Sequence, residues 1–539
     1  MEEKIAIENT EGREDIAFEE SEYQVLAESP LFELEKRDAV FAVIFSLASI
    51  IMSAFGFWGG FRAGYSVATL LMLGIVTVYL GFKKVKHSCF SVMCLILAAV
   101  ISPIFAITSN GSVRFFGFLV LFLLSLVWFA SFGNILPEKG DLGLLVTIFK
   151  PVFCLAFPNI PTTVKSLFSG DGGKRKSFLR VISGVVLAMP VLLVVVPLLM
   201  SSDAAFNGLA QRLVGDLFLT VIKIIVGLVL ALFVTAYCFS LKKRELPQSK
   251  ESNFNGFDNT VIVSFLSVLA VCYLTYLFSQ LAYFFSAFSG FLPDDYSFTP
   301  AEYARRGFFE MSIIAAINLF IIFTALLVSR KNEGKICIAS RILCTFIGVF
   351  TLIIIATAIS KMVLYINRFG MTVLRITTSS FMLFLAVVFI SLMLRIFLPR
   401  IKVLRTALIT AGVVLAILGI VNVNNVVAEY NYNAYKNGVL TDIDVYTIYE
   451  LGEEGIPYLV KLANDDNNEV SQNARNRLGQ AVRNGSYYKL EYKYEPEGKV
   501  YTIKGKRYED IGKFSFSRKN AYNALDGFIK ENPDILIEK

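Results

Sequence analysis

The chain has 539 residues, of which 55% are hydrophobic and 18% charged, with a mean hydropathy of +0.60 and a formal charge of +7. Soluble domains carry about 45–50% apolar and about 25% charged residues, so a wholly water-soluble protein is excluded. Nor does the positive charge point to nucleic acid, because most Lys and Arg lie in short breaks between apolar runs instead of on one soluble face.

Residues 1–38 are acidic (Glu2, Glu3, Glu8, Glu11, Glu14, Asp15, Glu19, Glu20 and Glu22) and poor in apolar groups, the composition of a disordered tail. The first apolar run follows that tail and is too long for a signal-peptide core. From Ala39 to about Val427, apolar runs of about 20 residues alternate with short polar breaks, the length that crosses a hydrocarbon core of about 30 Å. The pattern predicts about eleven spans, near 39–58, 64–82, 88–107, 113–133, 178–200, 217–240, 259–284, 308–328, 340–365, 374–398 and 404–427. The run at 144–161 is interrupted by Lys150-Pro151 and closed by Pro158 and Pro161, so it is expected to be interfacial or re-entrant.

Basic residues crowd every second connection: Lys83, Lys84 and Lys86; Lys165, Lys174, Arg175 and Lys176; Lys242, Lys243 and Arg244; Arg330, Lys331 and Lys335; Arg395, Arg400, Lys402 and Arg405. Short cytoplasmic loops are the ones enriched in Lys and Arg, so the amino terminus is expected inside and the carboxyl-terminal region outside.

That last region, 428–539, predicts a small α+β domain. Leu451, Ile456, Leu459, Val460, Leu462, Val470, Ala474 and Leu478 recur at helical spacing, broken at Gly455 and Pro457, as in a HEAT-like helical hairpin. Leu490, Tyr492 and Tyr494 alternate with Lys489, Glu491 and Lys493 before a Pro-Glu-Gly turn, the pattern of a β-hairpin. Ser517 is expected to cap a final helix ended by Pro533. The fold class is therefore an all-α polytopic membrane protein of about eleven transmembrane helices with a small C-terminal α+β extracytoplasmic domain. Its parts are a cytoplasmic tail (1–38), a helical membrane domain (39–427) and the exterior domain (428–539), all at the plasma membrane.

Candidate binding residues gather near the expected outer surface. Thr299-Pro300-Ala301-Glu302 reads as a capping box that starts a helix at Pro300, with Phe298 and Tyr303 placed for a hydrophobic staple. Glu302 reaches Arg305 and Arg306 one turn on, and Arg306 reaches Glu310. Those arginines either anchor an interfacial helix, neutralised by the glutamates, or accept an anionic group through their planar donor fork. On the same side lie Lys361, Tyr365, Arg368 and Arg375, while Lys223 and Asn318 sit deeper in their spans. Polar groups inside spans face protein or water, so this set either lines an outward-opening cavity or makes interhelical hydrogen bonds with snorkelled lysines.

Signals for catalysis are thin. The single histidine, His87, lies in a basic loop, and all seven cysteines fall in or beside apolar runs with no CxxC. The stretch SGDGGKRKS at 169–177 lacks phosphate-loop spacing, and DID at 442–444 lies where a helix cap belongs. No catalytic residue, metal ligand or cofactor is expected, and whether the chain is an enzyme stays open, with no as the better answer.

The segments FTPAEYARRGFFEM and LYINRFGMTVLRI resemble signature segments of a bacterial family of polytopic membrane proteins known as domain of unknown function 4173, related to the 4153 group. The stretch NVNNVVAEYNYNAYKNGVLTDIDVYTIYELGEEGIPYLVKL is similar to the segment after the last span in that family. Tyr303, Arg305, Gly307, Phe308, Asn318, Tyr365, Gly370, Thr372 and Arg375 match its pattern, while Met371 stands where leucine is expected. The resemblance implies architecture and location and no chemistry. Two functions are expected on these grounds. One is a non-catalytic role in envelope sensing, regulation or assembly, with the lipid bilayer and an envelope protein or anionic envelope ligand as partners. The other is a transporter or flippase for an anionic or lipid-linked substrate.

Overall fold

A computed structural model describes residues 35–81, 87–133, 215–243, 257–289, 300–329, 337–398, 400–484, 487–495, 498–506 and 514–538, with short pieces between 144 and 202. Residues 1–34 of the acidic tail, nearly all of the span expected at 178–200, most of 144–161, the SGDGGKRKS loop and the side chains of Glu302, Tyr303, Arg305 and Arg306 lie outside the described residues. Among the described residues, ten helices are long and apolar enough to cross a membrane, and each falls on one of the predicted runs. The chain is an all-α polytopic protein with a small C-terminal sheet. It divides into two compact units, Met1–Ile50 with Lys150–Glu245, and Ile51–Phe149 with Leu246–Lys539.

In the first unit, α1 (Lys36–Ile51) buries Phe41, Ala42, Phe45 and Ser49, one helical face. It crosses α6 (Gly215–Lys243) closely: Phe41 meets Phe239 at 6.4 Å between ring centroids, and Gly227 presses on the Ile50 backbone. Asp38, in the first turn of α1, is fully buried and pairs with Lys242 at 2.9 Å. A carboxylate there also complements the positive end of the helix dipole.

The second unit holds α2 (Ala63–Leu80), α3 (Cys89–Ile101), the short α4 (Ile104–Ile107), α5 (Gly111–Phe132), α7 (Asn259–Ser289), α8 (Pro300–Val328), α9 (Ile338–Phe369), α10 (Val373–Phe397) and α11 (Val403–Ile420). Helix α8 begins at Pro300, as the capping-box pattern predicts. Helices α7–α10 share a core of Leu266, Ala315, Ile322, Ile347, Phe389 and Leu392. Helix α11 turns Gly412, Ala416 and Gly419 toward α3–α5, and small residues let spans approach closely where lipid supplies no hydrophobic drive. Outward, Val268, Phe278, Phe320 and Ile338 stay exposed, as side chains facing hydrocarbon must. His87 packs between Trp128 and Phe132 and hydrogen-bonds Ser131, a structural placement.

The last span closes at Ile420 and not near 427 as predicted. Asn422 adopts a left-handed conformation (φ 57°), which breaks the helix, and α12 (Val423–Lys436) starts afresh. Helix α12 packs with α13 (Val445–Glu450), a 3₁₀ turn (Gly452–Glu454), α14 (Ile456–Leu462), α15 (Asn468–Arg483) and α16 (Phe516–Glu531). Their shared core includes Val427, Ile448, Leu459, Leu478, Leu525 and Phe528, and full burial of one such side chain is worth about 1.5–3 kcal/mol. Strands β1 (Tyr488–Glu495) and β2 (Gly498–Lys506) form the antiparallel hairpin, Glu495 opposite Gly498, and β3 (Ile537–Glu538) adds to β2. Ser515, not Ser517, caps α16 by accepting the Arg518 amide at 3.2 Å. Two serines flank Phe516, and burial of the Ser517 hydroxyl against another partner settles which one caps.

Candidate functional site

Residues 451–457 read Leu-Gly-Glu-Glu-Gly-Ile-Pro, and both glycines have structural reasons. Gly452 has φ +69°, reached cheaply only without a side chain, and at Gly455 a Cβ would run into the Ile448 carbonyl. The tight turn thrusts two adjacent carboxylates, Glu453 and Glu454, out of the C-terminal module and against the ends of the spans. Both are buried, at 8% and 4% exposed.

Glu453 meets Arg62, the residue just before α2, at 2.7 Å. Arg518, on α16, stands 3.9 Å away. The Ser515 hydroxyl donates to Glu453 at 2.8 Å and accepts from Arg62 at 3.0 Å. Burial, then the Glu453 charge, push the neighbouring Tyr487 phenol well above its ordinary range. Glu454 is held by neutral donors instead. Its Oε1 accepts the Ser109 amide at 2.8 Å and the Asn422 amide at 3.1 Å. Its Oε2 accepts the Ser109 hydroxyl and the Asn424 amide. Asn424 is fixed in turn by Asn110 at 2.7 Å and by the Leu451 carbonyl at 3.0 Å. Asn110 also caps α5. The Ser517 hydroxyl donates to the Ile107 carbonyl at 2.6 Å. A cleft of about 260 Å³ opens here between Ile107, Asn422, Glu453, Glu454 and Ser517.

A second clamp joins α12 to the turn between α9 and α10. Asn431 accepts the Met371 amide and donates to its carbonyl, both at 2.7 Å. Gly370 (φ +77°) makes room, since a Cβ would stand 2.7 Å from the Asn431 Oδ1. Thr372 caps α10, and Met371, Val373 and Ile376 pack on the module core.

Three of the sequence-predicted residues come together at this turn. The Arg375 guanidinium donates to the carbonyls of Phe369 and Gly370, closing α9, and lies 4.2 Å over the Tyr365 ring. A cation on a helix C-terminus is stabilised by the dipole. Arg368 is exposed beside Phe369. Asn318 is fully buried elsewhere, accepting from Tyr273 at 2.5 Å and donating to Thr351 at 2.9 Å, so it ties α7, α8 and α9 together. Lys361 is half-buried on α9, and Lys223 is half-buried on α6, which belongs to the other compact unit.

The sequence reading missed Arg62, Asn110, Asn422, Asn424, Asn431, Glu453 and Glu454. Signals existed: the glutamate pair between two glycines, and asparagines crowding the end of the last span. The partners lie some 30 to 390 positions apart, beyond any local pattern.

A family model described as domain of unknown function (DUF4153) matches residues 89–462, which includes α3–α14 and both clamps apart from Arg62, Ser515, Ser517 and Arg518. This is the group to which the motif segments pointed as a relative. No curated protein and no solved structure matches the chain.

Proposed function

The chain belongs to the DUF4153 family, and from that premise we propose that it is a non-catalytic integral protein of a bacterial cell envelope, within the branch its motif segments resemble. Its C-terminal module binds an envelope component and passes the bound state to the spans. The alternation of basic loops supports a plasma-membrane location with that module on the extracytoplasmic side.

One observation carries the reading: Glu453 and Glu454 are buried against Arg62, Arg518, Ser109 and the asparagines. Apolar side chains would hold the module as firmly without desolvating charge. Ion pairs and amide bonds add one defined register that can be exchanged for another, as switching contacts require. Transport of an anionic or lipid-linked substrate is the alternative, favoured by the half-buried cations Lys223 and Lys361 within spans.

The test is hydrogen exchange on the full chain in nanodiscs, wild type against Glu454→Gln. The relay requires exchange to rise together in 423–436 and in 107–114. Loosening of the module alone removes the relay. Uptake of an anionic solute by proteoliposomes that persists in Glu454→Gln replaces it with the transport reading.

A further inference from the structure

Helix α15 has two unlike faces. Val470, Ala474, Leu478, Ala481 and Val482 are buried in the module core. On the opposite side Asn473, Asn476, Arg477, Gln480, Arg483 and Asn484 recur at i, i+3, i+4, i+7, i+10 and i+11, a single stripe. They line a cleft of about 510 Å³ whose further wall is Tyr501 of β2. Asn473 and Arg477 also wall a second cleft of about 560 Å³, which runs on toward Tyr446 and the Asp442–Asp444 turn. Together they make one trough along the helix.

The stripe is an odd choice for a face that merely meets water. Asparagine in a helix costs up to about 0.7 kcal/mol relative to alanine, yet Asn473 and Asn476 are exposed mid-helix and their side chains make no hydrogen bond among the described residues. Neither Lys nor Glu, the usual solvated helix formers, stands among these six positions. The helix gives up stability to present carboxamides.

Those groups define the ligand. A carboxamide presents a donor and an acceptor side by side, which suits hydroxyl and acylamino groups that do both. Arg477 adds a planar donor fork for a carboxylate, one nitrogen of which also donates to the Gln480 carboxamide at 3.1 Å, and Arg483, which donates to the Ile535 carbonyl at 3.4 Å, adds positive charge beside it. Two aromatic rings border the trough: Tyr446 is 48% exposed with Arg477 at 4.9 Å, and Tyr501 has Lys499 at 5.5 Å. The cations lie over one face of each ring, and the exposed surface of Tyr446 is of the flat apolar kind, with a polar edge, that a sugar ring stacks on. A wholly anionic ligand such as bare phosphate fits poorly, because the carboxamide oxygens and the Asp442, Asp444 and Glu469 carboxylates of the second cleft repel it. A saccharide meets them with hydroxyls and needs its carboxylate only in the first cleft, beside Arg477 and Arg483. An extended peptide fits poorly too: its like-facing units repeat at about 6.7 Å, whereas the stripe advances about 5.4 Å per turn.

We propose that this trough is a binding site for a carboxylate-bearing glycan. The proposal names the component that the module binds, and it rests on the function proposed above for its place in the envelope.

The experiment titrates full-length protein in nanodiscs, by calorimetry, with a four-sugar uronic-acid oligosaccharide, a neutral oligosaccharide of equal length and an acidic peptide of equal charge. Saturable binding of the acidic saccharide is expected, at least tenfold tighter than the neutral one. Asn476→Ala with Gln480→Ala is expected to weaken it tenfold or more, and alanine at these exposed helical positions preserves the fold. Arg477→Lys, which keeps the charge and loses the fork, should weaken it as well. Absence of saccharide binding, equal binding by the double variant, or preference for the peptide overturns the site. Hydrogen exchange on the same samples separates the two claims. Binding without any change at 107–114 leaves the site standing and removes the relay, whereas absence of binding removes the site and leaves the relay to the Glu454→Gln comparison.

Discussion

Arg62 and Glu453 are separated by 391 positions in sequence and by 2.7 Å in space, and a double-mutant cycle on them measures what joins the module to the spans. At an effective dielectric of about 20, two unit charges at that distance attract by about 6 kcal/mol. Their side chains are only 16% and 10% exposed, so desolvation removes several kcal/mol of that attraction. A coupling of about 2–4 kcal/mol should survive, within the range found for close, desolvated pairs. Glu453→Gln should cost more, about 3–5 kcal/mol, because it strands Arg62 and Arg518 together. Arg62→Met should cost less, since Ser515 and Arg518 still serve the carboxylate. Native-state hydrogen exchange of α14 amides in the full chain reads each free energy directly. A coupling below about 0.5 kcal/mol would place the pair with ordinary surface ion pairs. So would one that vanishes between about 0.1 M and about 1 M salt, where exposed charges are screened. Either result refutes the account of the junction.

Gly370→Ala should destabilise the second clamp by about 1–3 kcal/mol, from a strained positive φ and a Cβ at Asn431; exchange of the Met371 amide reports it, and an unchanged amide counts against the clamp. Asn318→Leu removes bonds to Tyr273 and Thr351 and should cost about 1–2 kcal/mol in thermal unfolding without altering the module. The pair Lys436–Asp465, at 2.6 Å, makes module stability depend on pH at both extremes. Burial works against the Asp465 charge, but hydrogen bonds from Lys436 and the Asn467 amide outweigh it and hold the carboxyl below its ordinary value. That contribution is present above the unfolded value of about 3.9 and is lost as pH falls through the lower folded one. Hydrogen bonding to Asp465 raises Lys436, whose share is present below about 10.4 and lost as pH rises through the higher folded value. Asp465→Asn should flatten the acid limb of a pH–stability profile, and an unchanged acid limb would show that the pair contributes nothing.

Much of the architecture was legible because its causes are local. A run near 20 apolar residues is a span wherever its neighbours lie, and Pro300 suits the first position of a helix by its own chemistry. The hairpin at 488–506 and the break that ends at Gly455 show in alternation and in glycine and proline placement. Arg375 was legible as an arginine at a membrane boundary, but not as the group closing α9, since that depends on where two carbonyls end up. The same holds for the two serines around Phe516, identical in local chemistry and divided between a helix cap and the Ile107 carbonyl by what packs against each.

The order of residues alone dictated hydrocarbon-length helices and the alternating hairpin, because backbone and solvent enforce those over one or two turns of chain. Tertiary structure alone decided that Glu453 answers Arg62, that Glu454 sits among Ser109, Asn422 and Asn424, and that a run of carboxamides on α15 faces a trough. Buried charge and unpaired amide are defined by what surrounds them, and those surroundings arrive from hundreds of residues away.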